Sequence, residues 1–187
     1  DDLAIDFLIF RRGQRRYRLT FEGELLRLGR PQKKPDMLNI VFEQLRACSG
    51  LTSRKDRIAI ATLDLRTTHM PMLLPHQVQA TILVSYPDEK LANSLEEQIR
   101  EILQYKGLSF RLENLSSRPP MKERRANSRL VKALESVAQK WEIPLRRESS
   151  VWPSVAGLVP ASTGAVCGVG PVARNIYTPD EAVDRIS

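Results

Sequence analysis

The chain has 187 residues, enough for one medium or two small domains, and its 42% apolar and 27% charged residues are those of a soluble globular protein. No apolar run approaches the ~20 residues of a membrane span, and no charged-then-apolar leader opens the sequence, so a cytoplasmic protein with no membrane partner is expected. The net charge is +7, with Arg11, Arg12, Arg15, Arg16 and Arg18 crowded near the start, but only Tyr17 is interleaved with them; the cluster reads as a solvated strand face rather than a nucleic-acid surface.

In chain order, Ile5–Phe10 and Tyr17–Glu22 are apolar or alternating stretches flanking Arg11-Arg12-Gly13-Gln14, which predicts one long bent strand or a hairpin about Gly13. A loop marked by Gly29, Pro31 and Pro35 leads to a helix capped by Asp36. Its apolar face is Met37, Leu38, Val41, Leu45 and Cys48, and Gly50 stands at its C-terminal end. Arg57–Arg66 and Val78–Tyr86 are β-type, joined through Pro71 and Pro75. Asp88 caps a second amphipathic helix carrying Leu91, Leu95, Ile99, Ile102 and Leu103, Gly107 ends it, and a strand follows from Leu108 to Leu112. The order β-α-β-β-α-β predicts an α+β fold, a ferredoxin-like two-layer sandwich over residues 1–118.

Beyond Ser116-Ser117-Arg118-Pro119-Pro120 the pattern changes. Residues 119–187 predict a helix over Ser128–Trp141 with Leu130, Leu134, Val137 and Trp141 inward, then a short strand near Leu145–Glu148. Ala165–Val169 reads as a buried strand. Thr178 reads as the N-cap of a final helix, with Pro179 first in it and Glu181 three residues after the cap. A core of fewer than about 70 residues is marginal alone. This part is therefore expected to be an incomplete α/β segment. Cys48 and Cys167, each in an apolar context, read as small buried hydrophobes rather than a disulfide pair.

Gly170-Pro171 followed by Tyr177-Thr178-Pro179-Asp180-Glu181 resembles the C-terminal signature of the co-catalytic zinc hydrolases that include acetylornithine deacetylase, succinyl-diaminopimelate desuccinylase, aminoacylase and carboxypeptidase G. In that family the residue before T-P-x-E is a zinc-binding His. Other stretches are similar to its dimerisation (lid) domain. Arg12-Gly13 resembles the R-G of the first lid strand. Gly23 through Pro31 resembles G-x-x-x-H-x-x-x-P with Arg27 at the His, and Asn39 fits the N-A-I at the helix start. Pro75 ends an N-x-I-P with Met72 at the Asn, and Ser85-Tyr86-Pro87 ends the third lid strand. Ser149-Ser150-Val151-Trp152 stands where the family has a G-G-T-D type loop.

The resemblance implies a lid domain that forms a homodimer, followed by part of a catalytic domain. It also implies zinc in active family members and hydrolysis of an amide bond in a peptide or N-acyl amino acid. The substitutions Arg27, Met72, Ser85, Trp152 and Tyr177 fall at the polar positions, and the family's first zinc-ligand motifs, H-x-D and E-E, belong to a part of the family's chain that this sequence is expected to lack. No catalytic residue, metal ligand or cofactor is therefore expected in this chain. A co-catalytic pair of cations needs several converging His and carboxylate ligands, whereas His69 and His76 read as loop imidazoles. The substrate-binding candidates are Arg27, as a fork for carboxylate or phosphate, with Asn39, Gly170, Pro171 and Tyr177. Two further readings stay open: a noncatalytic binding or scaffold protein of the same fold and, ranked below it, an RNA-binding protein with Tyr17, Phe21 and Phe110 as its stacking candidates.

Overall fold

The computed structural model describes residues 5–29, 36–171 and 173–183. Strict alternation sets its centre. Along β2 (Gly13–Glu22) the residues Tyr17, Leu19 and Phe21 point one way, and along β4 (Gln77–Tyr86) so do Val78, Ala80, Ile82, Val84 and Tyr86; all are buried. β2 and β4 pair antiparallel over their whole length, from Gly13 opposite Tyr86 to Glu22 opposite Gln77. β3 (Ala59–Thr67) and β5 (Ser109–Arg118) flank them in the order β3-β4-β2-β5. Both helices between these strands give their apolar faces to the same core. α1 (Met37–Gly50) contributes Met37, Val41, Leu45 and Cys48, and α2 (Glu89–Leu103) contributes Ala92, Leu95, Ile99 and Leu103. The fold is α+β, a ferredoxin-like two-layer sandwich. Each fully buried aliphatic such as Leu19 or Ile99 contributes roughly 1.5–3 kcal/mol.

Capping fixes where the helices begin. The Asp36 carboxylate accepts from the Asn39 amide at 2.9 Å, and Asp88 does the same for Leu91 at 3.0 Å. The buried Gln44 amide donates to the carbonyls of Ile102 and Leu103 at 3.2 and 2.8 Å, so α1 satisfies the open C-terminal end of α2. Gly50 is the last residue of α1 and is followed by Leu51 in right-handed geometry, so it is not the left-handed terminator its type suggested. Gly13 is required by contact: a Cβ there would lie 2.7 Å from Tyr86 Cζ and 2.8 Å from Pro120 Cδ.

The chain divides into two units, Arg12–Pro120, which holds the sandwich, and a second made of the segments up to Arg11 and from Met121 onward. In the second, β1 (Ile5–Arg11) runs parallel to β6 (Leu145–Ser150), with a bulge between Leu8 and Phe10. The expected bent strand or hairpin about Gly13 therefore does not form. The apolar run Phe7–Phe10 finds its partner in β6, and the chain leaves it at Arg12 to begin β2. The N-terminal strand belongs with the C-terminal segment rather than with the sandwich.

α3 (Arg125–Lys140) buries Asn127, Val131 and Ala138, while Leu130, Val137 and Trp141 are exposed, Trp141 by 73%. That corrects the expected inward face. Asn127 sets the orientation by donating to the Ala165 carbonyl at 2.7 Å, and Arg124 donates to that of Val159 at 2.7 Å. Ala165–Val169 makes one bridge, between Cys167 and Leu8, rather than a strand. Its half-buried Cys167 and the buried Cys48 are both free thiols. No described helix is long and apolar enough to cross a membrane.

Candidate functional site

The segment with the strongest sequence signature folds differently from its expected capped helix. β7 (Ala173–Arg174) pairs with β8 (Ala182–Val183), and the residues between them form a hairpin loop. Asn175 and Tyr177 adopt left-handed conformations, at φ +51° and +68°, which turn the chain back. The capping groups are used, but locally. The Thr178 hydroxyl donates to the Asn175 carbonyl at 2.7 Å and accepts from the Asp180 amide at 3.3 Å, while the Glu181 carboxylate accepts from the Tyr177 amide at 2.9 Å. A helix nucleus is costly and needs a buried face to offset it, yet Ala182 and Val183 are both exposed.

This loop brings two of the substituted positions together. The rings of Trp152 and Tyr177 lie with centroids 6.4 Å apart and planes at 55°, in the range of tilted aromatic pairs. Both face water, Trp152 by 63% and Tyr177 by 86%. Arg11, at the end of β1, donates through Nη1 to the Trp152 carbonyl at 3.5 Å, tying the loop after β6 to the neighbouring strand. Ser154 Oγ and Cys167 Sγ sit 3.6 Å apart. Gly170 and Pro171 are exposed, and a Cβ on Gly170 would meet nothing within 4 Å.

Arg27 and Asn39 lie on the other unit. Arg27 is exposed on a ribbon in which residues 23–28 continue β2 and residues 72–76 lead into β4, and it stands opposite Leu73. Asn39 is engaged in capping: besides its amide, its side-chain Nδ2 donates to Asp36 Oδ2 at 3.2 Å. Pro31 and its flanking residues 30 and 32–35 lie outside the described residues. Met72 adopts φ +63°, a conformation that asparagine tolerates far better than methionine.

The donors at the Tyr177 position do not fit a zinc centre. A phenol and an exposed indole stand there rather than the imidazole and carboxylate that zinc prefers, and among the described residues no three His, Cys, Asp or Glu side chains converge. A partly buried electrostatic cluster lies elsewhere, between β2 and α2. Arg15 donates to Glu89 at 2.6 Å, to Asn93 at 2.8 Å and to Glu96 at 3.4 Å, and its guanidinium lies 5.5 Å from the Tyr86 ring centroid. Tyr17 donates to Glu96 at 2.8 Å and Tyr86 to Glu89 at 3.0 Å. Burial pushes the Tyr17 phenol up to about 12 and raises that of Tyr86. Burial alone would raise Glu96 too, but hydrogen bonds from Arg100 and Tyr17 and the charge of Arg15 outweigh it and hold the carboxyl below its ordinary value. The network clamps α2 to the sheet. Its signal was in the sequence: Arg15 is in phase with Tyr17, Leu19 and Phe21 on the inward face. The three stacking candidates are also placed: Tyr17 and Phe21 are buried in the core and Phe110 is half-buried against it, so none stands free on the open face of the sheet.

No family profile and no curated protein sequence matches the chain. Among solved structures it is similar to the aminopeptidase PepT from Bacillus cereus, with a TM-score of 0.73 and 13% identity over 97% of this chain and 50% of that one. It is also similar to an amidase of the hydantoinase/carbamoylase family from Burkholderia vietnamiensis, with a TM-score of 0.61 and 19% identity over 84% of this chain and 39% of that one. A third, a hydantoinase/carbamoylase family amidase from Burkholderia ambifaria, gives 0.60 and 12% over 87% and 40%. At these identities the likeness establishes a shared fold. The chain spans two fifths to half of the length of these structures.

Proposed function

We propose that this chain is the dimerisation domain plus C-terminal catalytic-domain segment of a protein in the zinc-dependent peptidase and N-acyl amino acid deacylase family, and that it is noncatalytic by itself. The observation that carries the reading is the likeness to an aminopeptidase across 97% of the chain, both units included, combined with an aromatic pair at the metal-ligand position. In the whole protein, cleavage of an amide in a peptide or N-acyl amino acid needs metal ligands and a general base that these residues do not supply. The free thiols of Cys48 and Cys167 agree with a cytoplasmic setting.

The sandwich is the self-association module. Among the described residues β3 has a strand partner on one side, β4; on its outer edge the Ile60 amide is taken by the Thr52 hydroxyl at 3.1 Å, and the rest of that edge has no strand beside it. Phe42 on α1, which packs against β3, and Leu63 on β3 are 52% and 50% exposed. A two-fold pairing of two β3 edges would bury both kinds of surface. The test is the molar mass in solution of the chain and of a Phe42→Glu, Leu63→Lys double variant. Dimer for the first and monomer for the second is expected; a monomeric parent chain, or a variant that stays dimeric, overturns the proposed interface.

A second reading, a noncatalytic binding protein that keeps the fold, is favoured by one observation. Trp152 and Tyr177 leave large aromatic surfaces in water, as ligand-contacting aromatics do. Titrating the chain with peptides and N-acyl amino acids while following Trp152 emission separates the two, because only the binding reading expects a saturable change.

A further inference from the structure

The ribbon beside Arg27 outlasts its neighbour on one side. The last rung between β2 and β5 joins Glu22 to Ser109, and the chain before Ser109 is folded into a tight turn, Tyr105–Leu108, with Gly107 at φ +89° and the Leu108 amide on the Tyr105 carbonyl at 3.1 Å. On the other side pairing continues. Gly23 donates to His76 at 2.9 Å, Leu74 to Leu26 at 2.8 Å and Leu28 to Met72 at 2.8 Å. In such a ladder Arg27 and Leu73 are a non-hydrogen-bonded pair, so the amide and carbonyl of Arg27 point away from Leu73. The backbone groups of Glu24, Leu25 and Arg27 pair with none of the described residues.

A cleft of about 550 Å³ opens between this ribbon and the 105–108 turn, inside the sandwich unit. Leu26 and Leu74 line it from the ribbon, Met37 and Ile40 from the first turn of α1, and Tyr105 and Lys106 from the turn. Its size falls within the roughly 300–1,000 Å³ of ligand pockets. Lys106 makes no ion pair with a described residue, whereas the Asp36 carboxylate, which also lines the cleft, is engaged by Asn39 through both oxygens.

We infer that this cleft binds an extended apolar peptide, which adds as a strand to the open 24–27 edge where β5 stops, with an apolar side chain against Met37 and Ile40 and a terminal carboxylate at Lys106. Backbone donors and acceptors left open at an edge are matched by another extended backbone, and the apolar lining beside them selects the side chain. The ammonium of Lys106 gives the strand its direction. The inference depends on neither a metal nor the Trp152–Tyr177 loop.

The test uses the full 187-residue chain, isotopically labelled, and an N-acetylated Val/Leu tetrapeptide with a free carboxyl end. Binding should shift the Glu24–Arg27 amides and slow their hydrogen exchange. N-methylation of alternate peptide nitrogens should abolish that protection, and Lys106→Glu, at an exposed position, should weaken binding about ten-fold while leaving the circular dichroism unchanged. Amides 24–27 already protected in the free chain would overturn the proposal, because the edge would then be occupied. Equal binding of the N-methylated peptide would overturn strand addition, and shifts confined to other residues would overturn the site.

Discussion

The Trp152 and Tyr177 rings meet at 6.4 Å on the loops that follow β6 and β7, two residues 25 positions apart in sequence and both turned to water. Under the proposed reading Tyr177 stands where an active relative has a zinc-binding histidine and Trp152 where it has a carboxylate loop, so an apolar pair takes the place of a polar one. The pair contributes about 0.5–1.5 kcal/mol of ring–ring attraction, little against the exposure it leaves.

Trp141 and Trp152 are 73% and 63% exposed, so native fluorescence should have the red-shifted maximum of solvated indole and be quenched readily by acrylamide. Tyr177→Ala should change Trp152 emission while lowering stability by no more than about 1 kcal/mol. A blue-shifted, quencher-resistant spectrum would mean that these loops are covered in solution.

The clamp between β2 and α2 gives stability a pH dependence at both ends. The Glu96 carboxyl is depressed in the folded chain, so its contribution is present above the ordinary value of 4.5 and is lost as pH falls through the folded value. Tyr17 is raised to about 12, so its contribution is present below the ordinary value of 10.0 and is lost as pH rises through the folded one. Denaturant midpoints measured from pH 3 to pH 11 should fall at both extremes, and Glu96→Gln should flatten the acid limb. Arg15→Met should cost about 2 kcal/mol at neutral pH, because it leaves Glu89 with no guanidinium partner. An unchanged acid limb in Glu96→Gln would show that other carboxylates set it.

Met72 holds φ +63° with its side chain in solvent, and a left-handed non-glycine residue costs about 1–2 kcal/mol. Met72→Asn, which puts a residue that tolerates the left-handed region in the same backbone conformation, should raise stability by about 0.5–1 kcal/mol. Thermal and urea unfolding check it, and a loss of stability would mean that Met72 makes a contact the backbone geometry does not require.

The sandwich was legible because its information is local and periodic. Tyr17-x-Leu19-x-Phe21 and Val78-x-Ala80-x-Ile82-x-Val84 name their inward faces, and Asp36 and Asp88 mark where helices begin. The partner of β1 was not legible, because Leu145–Ser150 lies about 140 positions away and carries no signal for Ile5–Arg11. In α3 the apolar residues Leu130, Val137 and Trp141 suggested an inward face, but periodicity assumes a partner for every apolar stripe. At Thr178-Pro179-Asp180-Glu181 the capping residues were read correctly as hydrogen-bonding groups and wrongly as the start of a helix. The same hydroxyl and carboxylate close a turn equally well when no buried face follows. Arg15 was passed over because arginine is expected outside, although its alternation placed it inside.

The most direct test of the proposal that the Trp152–Tyr177 site is noncatalytic and holds no metal is the zinc content of the 187-residue chain, by elemental analysis after incubation with excess zinc and exhaustive dialysis. Zinc far below one equivalent per chain, unchanged in Tyr177→Phe, is the predicted result. One or two equivalents retained per chain, together with release of amino acid from an N-acyl amino acid, would contradict it.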